Sequence, residues 1–310
     1  MTADNGVVRG ALVVEQTGPS PVVTMPVAAD EPVFAGHFPH FPIFPAIGVI
    51  DFVRRAAVST HPAPRTGLRV ESVRRARFLN PIRPGDRLTA RLTWERTGER
   101  WHCSAAVGTA DGPAARLSLV FGDPPASPSD VMGARDSRHP VMTGSEIHRL
   151  LPHRYPMLLI DRVVGPVTDQ EVFAQKAVTR GEPWYQSPPG GPEAASDDYP
   201  AALVLESWSQ AAAVLIARER PSANPLDTVP LFGSLSGARL PAPVRPGDVM
   251  DHHVRIVRRI SDTVLAEGVS TVDGRPVLEV EQMTIALRPI AAVTGNGRPR
   301  KEAADDRTRA

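Results

Sequence analysis

Apolar positions along this chain fall into two similar series. Arg87 to Trp94, Trp101 to Thr109 and Ala115 to Phe121 alternate apolar and polar side chains, and so do His252 to Arg259, Thr263 to Thr271 and Val277 to Leu287. Period-two alternation predicts half-buried strands. Asp111-Gly112 and Asp273-Gly274 stand where the hairpin turns of each series belong. Ahead of each series lies an apolar run with helical character. The first begins at Ala46 and carries Asp51; the second runs from Ala201 to Ala217 and carries Glu206 and Gln210. The second run is too short and too polar for a membrane span and predicts a helix buried on nearly every side. A strand, a long buried helix and then an antiparallel meander describe an α+β domain whose sheet wraps one helix.

The repetition extends to individual residues. Ala76-Arg77-Phe78-Leu79-Asn80-Pro81-Ile82-Arg83-Pro84-Gly85-Asp86 is echoed by Ala238-Arg239-Leu240-Pro241-Ala242-Pro243-Val244-Arg245-Pro246-Gly247-Asp248. The offset between copies is 151 at the two Glu-Pro pairs (31 and 182), 155 at the helix carboxylates (51 and 206) and 162 at the glycines (85 and 247). The second copy therefore carries insertions of about four and seven residues, and a unit this long is a domain rather than a solenoid repeat. We place an N-terminal domain at 10–122, a Pro- and Ser-rich linker at 123–142, a C-terminal domain at 143–290 and a disordered tail at 291–310.

Composition narrows the function only by exclusion. The 310 residues hold 35 Lys and Arg against 34 Asp and Glu, a net charge of +1, which gives no electrostatic case for nucleic acid. One cysteine, Cys103, excludes an internal disulfide and a Cys-rich zinc site and fits a reducing cytoplasm. No basic-then-apolar N-terminal leader is evident, and we expect no membrane insertion, metal or cofactor.

Candidate chemistry sits before and within the helices. Gly36-His37-Phe38-Pro39 forms a proline-bounded loop fourteen residues ahead of Asp51, whereas the second copy has Glu182-Pro183-Trp184-Tyr185-Gln186-Ser187-Pro188 and no histidine. Burial of Glu206 on an apolar helix predicts a carboxyl raised toward neutrality, a general acid. His37 is the complementary base. The bare N–H groups at the helix starts, near Ala46 and Ala201, suit an enolate-like oxygen. Structural readings stand beside these: His37 as a helix-capping loop residue, Glu206 as a buried carboxyl satisfied by Gln210 or Trp208, and Asp51 as a relic. His153 and Tyr155 are expected to pack, His40 to lie at the surface, and His252 and His253 to point to opposite faces of a strand rather than to bind metal together.

Leu150-Leu151-Pro152-His153-Arg154-Tyr155-Pro156-Met157-Leu158-Leu159-Ile160-Asp161-Arg162-Val163 resembles the N-terminal signature of the FabZ/FabA family of 3-hydroxyacyl-acyl carrier protein dehydratases. The Gly-His-Phe-Pro loop, the carboxylate-bearing helices and the Arg-Pro-Gly-Asp entries are similar to its other motifs. The resemblance implies a double hotdog, two hotdog domains forming a pseudo-dimer within one chain, with further homo-oligomerisation left open. Family sites pair a histidine from one subunit with a carboxylate from the other, which here implies His37 with Glu206, supported by Gln210, and a vestigial site of Asp51 with Pro188. It also implies an acyl carrier protein as partner, with Arg74, Arg75 and Arg77 or Arg54 and Arg55 as docking candidates. Departures are Ala46 and Ala201 in place of the helix-opening glycine, and Phe52-Val53-Arg54-Arg55 after Asp51 in place of a small-residue run. Alternatives are a noncatalytic hotdog partner that binds acyl chains, or another hotdog thioester enzyme, a thioesterase or an enoyl-CoA hydratase.

Overall fold

A computed structural model describes residues 6–39, 41–63, 68–122, 140–185, 197–218 and 228–294. In chain order the elements are β1 (Val13–Gln16), β2 (Val22–Pro26), α1 (Pro32–Gly36), α2 (Ala46–Ser59), β3 (Val70–Phe78), β4 (Arg87–Thr97), β5 (Arg100–Thr109), β6 (Gly112–Phe121), β7 (Pro140–Met142), α3 (Gly144–Leu150), β8 (Arg162–Val164), β9 (Glu171–Ala177), α4 (Ala201–Arg218), β10 (Thr228–Arg239), β11 (Val249–Ile260), β12 (Thr263–Val272), β13 (Arg275–Pro289) and α5 (Ile290–Thr294). All thirteen strands join one antiparallel sheet in the order β1-β2-β4-β5-β6-β3-β10-β13-β12-β11-β9-β8-β7. The order reads symmetrically about its centre, so β3 and β10 occupy matching places in the two halves. They pair directly, Leu235 opposite Ala76 and Ala238 opposite Val73, and this seam makes two domain sheets continuous.

Local chemistry accounts for the elements. In β4 the inward positions are Leu88, Ala90 and Leu92, all fully buried, with polar residues between them. Asp273 and Gly274 both have positive φ, 50° and 78°, between paired Val272 and Arg275, the two-residue turn whose twist suits a hairpin. The repeated Arg-Pro-Gly-Asp entries fold alike. Gly85 and Gly247 take φ of 92° and 102° after a proline, and Asp86 and Asp248 accept the N–H of Arg83 and Arg245 at 2.7 and 2.8 Å. Proline fixes the first corner of such a turn and glycine supplies the positive φ of the second. Helix α4 is buried along nearly its whole length and lies against β9, β11 and β12, while α2 touches α4. The two helices thus meet between the curved halves of the sheet, the double-hotdog arrangement that the resemblance implies.

Three boundaries differ from expectation. The stretch expected as linker ends in a strand: β7, Pro140–Met142, pairs with β8 because an edge strand there has open hydrogen-bonding groups to offer. The expected disordered tail begins in α5, whose Val293 is buried against the apolar loop of Phe38 and Phe41. Ordered chain also precedes residue 10, since Val7 and Val8 are buried. Residues 123–139 and 295–310 lie outside the described residues.

Candidate functional site

Between the helices a cavity of about 380 Å³ takes its walls from both halves of the chain. His37, Ala46 and Val49 come from the first half; His153, Glu206 and Ala213 come from the second. On α4 the lining residues Glu206, Ser209, Gln210 and Ala213 recur at helical spacing of three and four, so one face of a helix buried all round is turned to the cavity. Strands β3 and β10 close one side where Phe78 and Phe232 approach to 5.2 Å between ring centres. A bulge in the β10–β13 pairing falls at Gly233, which also borders the cavity.

His37 follows the short helix α1 and is held by both chain directions. Its N–H donates to the Val33 carbonyl at 2.7 Å, and its ring Nδ1 stands 3.0 Å from the Ile43 carbonyl. A carbonyl only accepts, so Nδ1 carries the hydrogen and Nε2 keeps its lone pair. Burial, reinforced by His153, lowers the ring to about 4 against the opposing pull of Glu206 and the Ile43 carbonyl. The imidazole is therefore neutral at neutral pH, the form in which it accepts a proton.

Glu206 stands opposite. Its Oε1 accepts the Gln210 side-chain N–H at 2.9 Å and lies 3.5 Å from His153 Nε2. The expectation of a raised carboxyl needs correction. Burial does push it upward, but the contact and charge of His153, then His37, then the Gln210 amide together outweigh burial, and Glu206 lies below its ordinary value. Gln210 also donates to the Met157 carbonyl at 2.7 Å and accepts the Leu159 N–H at 2.9 Å, tying the Pro-His-Arg-Tyr-Pro segment to α4.

His153, which the sequence predicts to pack and hydrogen-bond, is brought by the fold beside His37 and Glu206. Its ring centre is 5.5 Å from that of His37 and 5.1 Å from Phe38. His37, His153 and Glu206 each bring a nitrogen or oxygen within 4.8 Å of the others. Its segment docks on the first half through the Arg154 N–H, which donates to the Gly36 carbonyl at 2.9 Å. The signal was present in the fourteen-residue signature itself, but only the docking of one half on the other shows which way the histidine faces. Tyr155, in the same segment, is 73% exposed.

Asp51 occupies the matching place on α2 and is engaged otherwise. Its Oδ2 accepts the N–H groups of Val7 and Val8 at 2.8 and 3.3 Å, and its Oδ1 receives Arg54 Nε and Nη2 at 3.0 and 2.8 Å. Arg55, the counterpart of Gln210, donates to the carbonyls of Val8 and Gly10. The N-terminal segment thus lies where the second half has its signature segment, and two carbonyls plus a carboxylate engage both arginines.

The remaining expected residues divide. Ala46 lines the cavity at the first turn of α2, where backbone N–H groups lack intrahelical acceptors; Ala201, at the start of α4, is not among its lining residues. Pro188 and His40 lie outside the described residues. His252 and His253 point apart: Nδ1 of buried His252 is 2.7 Å from Ser270 Oγ, and His253 stacks on Phe173 at 4.4 Å. Arg74, Arg75 and Arg77 are exposed on β3, which leads to the cavity residues Phe78 and Leu79. Among the described residues no helix is long and apolar enough to cross a membrane.

Comparison with known proteins agrees with this fold. Residues 14–112 match the ApeI-like dehydratase family and residues 151–281 the FabA-like domain. The chain is 35% identical over 156 residues to the 3-hydroxyacyl-[acyl-carrier-protein] dehydratase FabZ of Anaeromyxobacter sp. (strain Fw109-5), covering 50% of this chain and 96% of that protein. With the FabZ of Myxococcus xanthus (strain DK1622) it shares 39% over 137 residues, 44% of this chain and 86% of the relative. Two solved structures share the fold at low identity. The dehydratase domain from the CurJ module of curacin polyketide synthase superposes with a TM-score of 0.65 at 11% identity, over 93% of this chain and 99% of that one. The PpsC dehydratase domain from Mycobacterium tuberculosis, in complex with C12:1-CoA, gives 0.61 at 14%, over 92% and 100%. Two hotdog halves, one shared cavity and a FabZ-like second half lead to one conclusion: this chain belongs to the FabZ/FabA-like 3-hydroxyacyl-[acyl-carrier-protein] dehydratase family, as a fused double hotdog.

Proposed function

We propose that the chain dehydrates (3R)-3-hydroxyacyl chains on acyl carrier protein to trans-2-enoyl thioesters at a single site, with His37 as base and Glu206 on the acid side. The observation that carries this reading is the facing of a neutral His37 and a carboxyl of the other half across one largely apolar cavity. His37 Nε2 takes a proton from C2. Its electron pair forms the C2–C3 double bond, the C3–O bond breaks, and the hydroxyl leaves as water with a proton from the side of Glu206. Negative charge that develops on the thioester oxygen meets the N–H groups at the start of α2, near Ala46. Asp51 takes no part, because its carboxylate is already filled by two backbone N–H groups and Arg54. The exposed arginines Arg74, Arg75 and Arg77 offer an acidic carrier a basic strand beside the cavity. The reading places the reaction in the cytoplasm, in line with a buried, unpaired Cys103.

Incubation with a series of 3-hydroxyacyl carrier proteins, followed by mass spectrometry for loss of water, tests it. Wild type and Asp51→Asn should form enoyl product, and His37→Ala and Glu206→Gln should not. An active His37→Ala protein would remove the assignment.

A further inference from the structure

The dehydration chemistry needs a proton on the acid side of the site at the moment when the hydroxyl departs. Glu206 is not built to hold it alone. One of its oxygens already accepts the Gln210 amide at 2.9 Å, and the same oxygen faces His153 Nε2 at 3.5 Å. Such a surrounding of donors favours the ionised carboxylate. Buried His153, for its part, has no hydrogen-bond partner at Nδ1 among the described residues, and its Nε2 is turned toward Glu206. Its backbone carbonyl receives Arg154 Nη1 at 2.6 Å, which fixes the segment without engaging the ring.

We propose that His153 and Glu206 form a proton-holding dyad, one transferable proton lying between them, and that His153 is the positioning residue that keeps this proton available for the leaving hydroxyl. The proposal rests on the dehydratase reading above. In the step, the C2–H pair becomes the π bond, the C3–O bond breaks, and hydroxide takes the dyad proton and leaves as water. His37 then carries the proton from C2 and the dyad lacks one. Because a nitrogen or oxygen of each of the three side chains lies within 4.8 Å of the others, the proton returns from His37 to the dyad over a short path and the site is restored without an outside acid. The charged and titratable groups facing His153 are His37 and Glu206, with Arg154 on its carbonyl and Arg288 on the cavity wall.

His153→Gln tests this, since an amide preserves a donor toward Glu206 and fills the space beside Phe38 but has no proton to give. With a 3-hydroxyacyl thioester its kcat should fall by roughly 10²- to 10⁴-fold, the range of a general acid, with KM little changed. The high-pH limb of its kcat profile should move to lower pH, because Glu206 alone then carries the proton. A 3-chloroacyl thioester, whose chloride departs without a proton, should be eliminated at close to the wild-type rate. Independently of turnover, nuclear magnetic resonance of the wild type should show a deshielded Nε2–H from His153 that is lost in Glu206→Gln. A uniform loss on both substrates with an unmoved pH profile would assign His153 a packing role and overturn the dyad, as would an unchanged His153 resonance in Glu206→Gln. Wild-type inactivity on the 3-hydroxyacyl series counts against the dehydratase reading, and the resonance experiment then decides the dyad separately.

Discussion

Gly36 is a point of close backbone contact between the two halves of the site. A Cβ placed there would stand 2.2 Å from the Arg154 carbonyl oxygen and 2.7 Å from the Met157 nitrogen, both backbone atoms that have no rotamer to escape into. Ordinary contact begins near 3.4 Å, so Gly36→Ala forces the two segments apart by about 1 Å (3.4 less 2.2). That movement breaks the 2.9 Å bond from the Arg154 N–H to the Gly36 carbonyl. Overpacking costs about 1–3 kcal/mol, and the lost bond roughly 1 more. Each kcal/mol lowers Tm by about 2–4 °C in a protein of this order of size. The larger effect is kinetic. His37 follows Gly36 directly and His153 precedes Arg154, so the same shift separates the proposed base from the proposed acid side, and a displacement of about 1 Å costs on the order of 10² in rate. Steady-state kinetics with a 3-hydroxyacyl carrier protein and a thermal melt measure both effects. Gly85→Ala is the control: its φ of 92° strains any side chain, nothing among the described residues lies within 4 Å of an added Cβ, and it is remote in sequence from the loop of His37. It should lower Tm without changing kcat. Wild-type kcat in folded Gly36→Ala would refute the claim that this contact sets the distance across the site.

Stability should fall in acid. His37 and His252 are lowered by burial to about 4 and about 3, below the ordinary 6.5 of the unfolded chain, so between those values the unfolded state binds more protons and stability rises with pH. Each contributes a slope of up to ~1.4 kcal/mol per pH unit below pH 6.5, flattening as the pH falls through its folded value; chemical unfolding from pH 7 to 5 should show a shallower loss in His252→Asn. With neutral His37 as the proposed base, activity should persist to about pH 5 and fail as the pH approaches 4. Asp51→Asn should leave kcat unchanged at 25 °C but cost about 1–3 kcal/mol by weakening the seat of the N-terminal segment, read by denaturant titration. Ala213→Phe, on the cavity face of α4, should shift the preferred acyl chain to shorter lengths in a competition among carrier-bound substrates; an unchanged length profile would mean that the chain runs elsewhere. Gln210→Leu leaves the buried Leu159 N–H and Met157 carbonyl unpaired and should cost about 2–5 kcal/mol, seen as a large fall in Tm.

Much of this protein is determined by near-neighbour chemistry and is therefore written in the sequence. Alternation in β4 to β6 and β11 to β13 follows from a sheet with one face inward. The paired Arg-Pro-Gly-Asp turns follow from a fixed proline φ and a glycine free to take the positive one. The all-round apolarity of α4 follows from its place at the centre of the fold. The two copies, and with them Asp51 and Glu206 at corresponding places, could be read from spacing, and the pairing of His37 with Glu206 from the family resemblance. What the tertiary structure decided are the properties that depend on which half meets which. The strands β1 to β3 and β7 to β10 are short, bulged or polar on their outer faces, and pairing partners rather than local pattern define them. The direction of Glu206's shift depends on donors 4 and 53 residues away in sequence, Gln210 and His153, so burial alone predicted the wrong sign. Asp51 and Glu206 occupy like positions on like helices, and the local difference between them is the pair Arg54-Arg55 after one and Ser209-Gln210 after the other. The larger difference lies in the segments that reach them from far along the chain: Val7 to Gly10 fills the place beside Asp51, and the segment carrying His153, docked on Gly36 of the other half, borders Glu206.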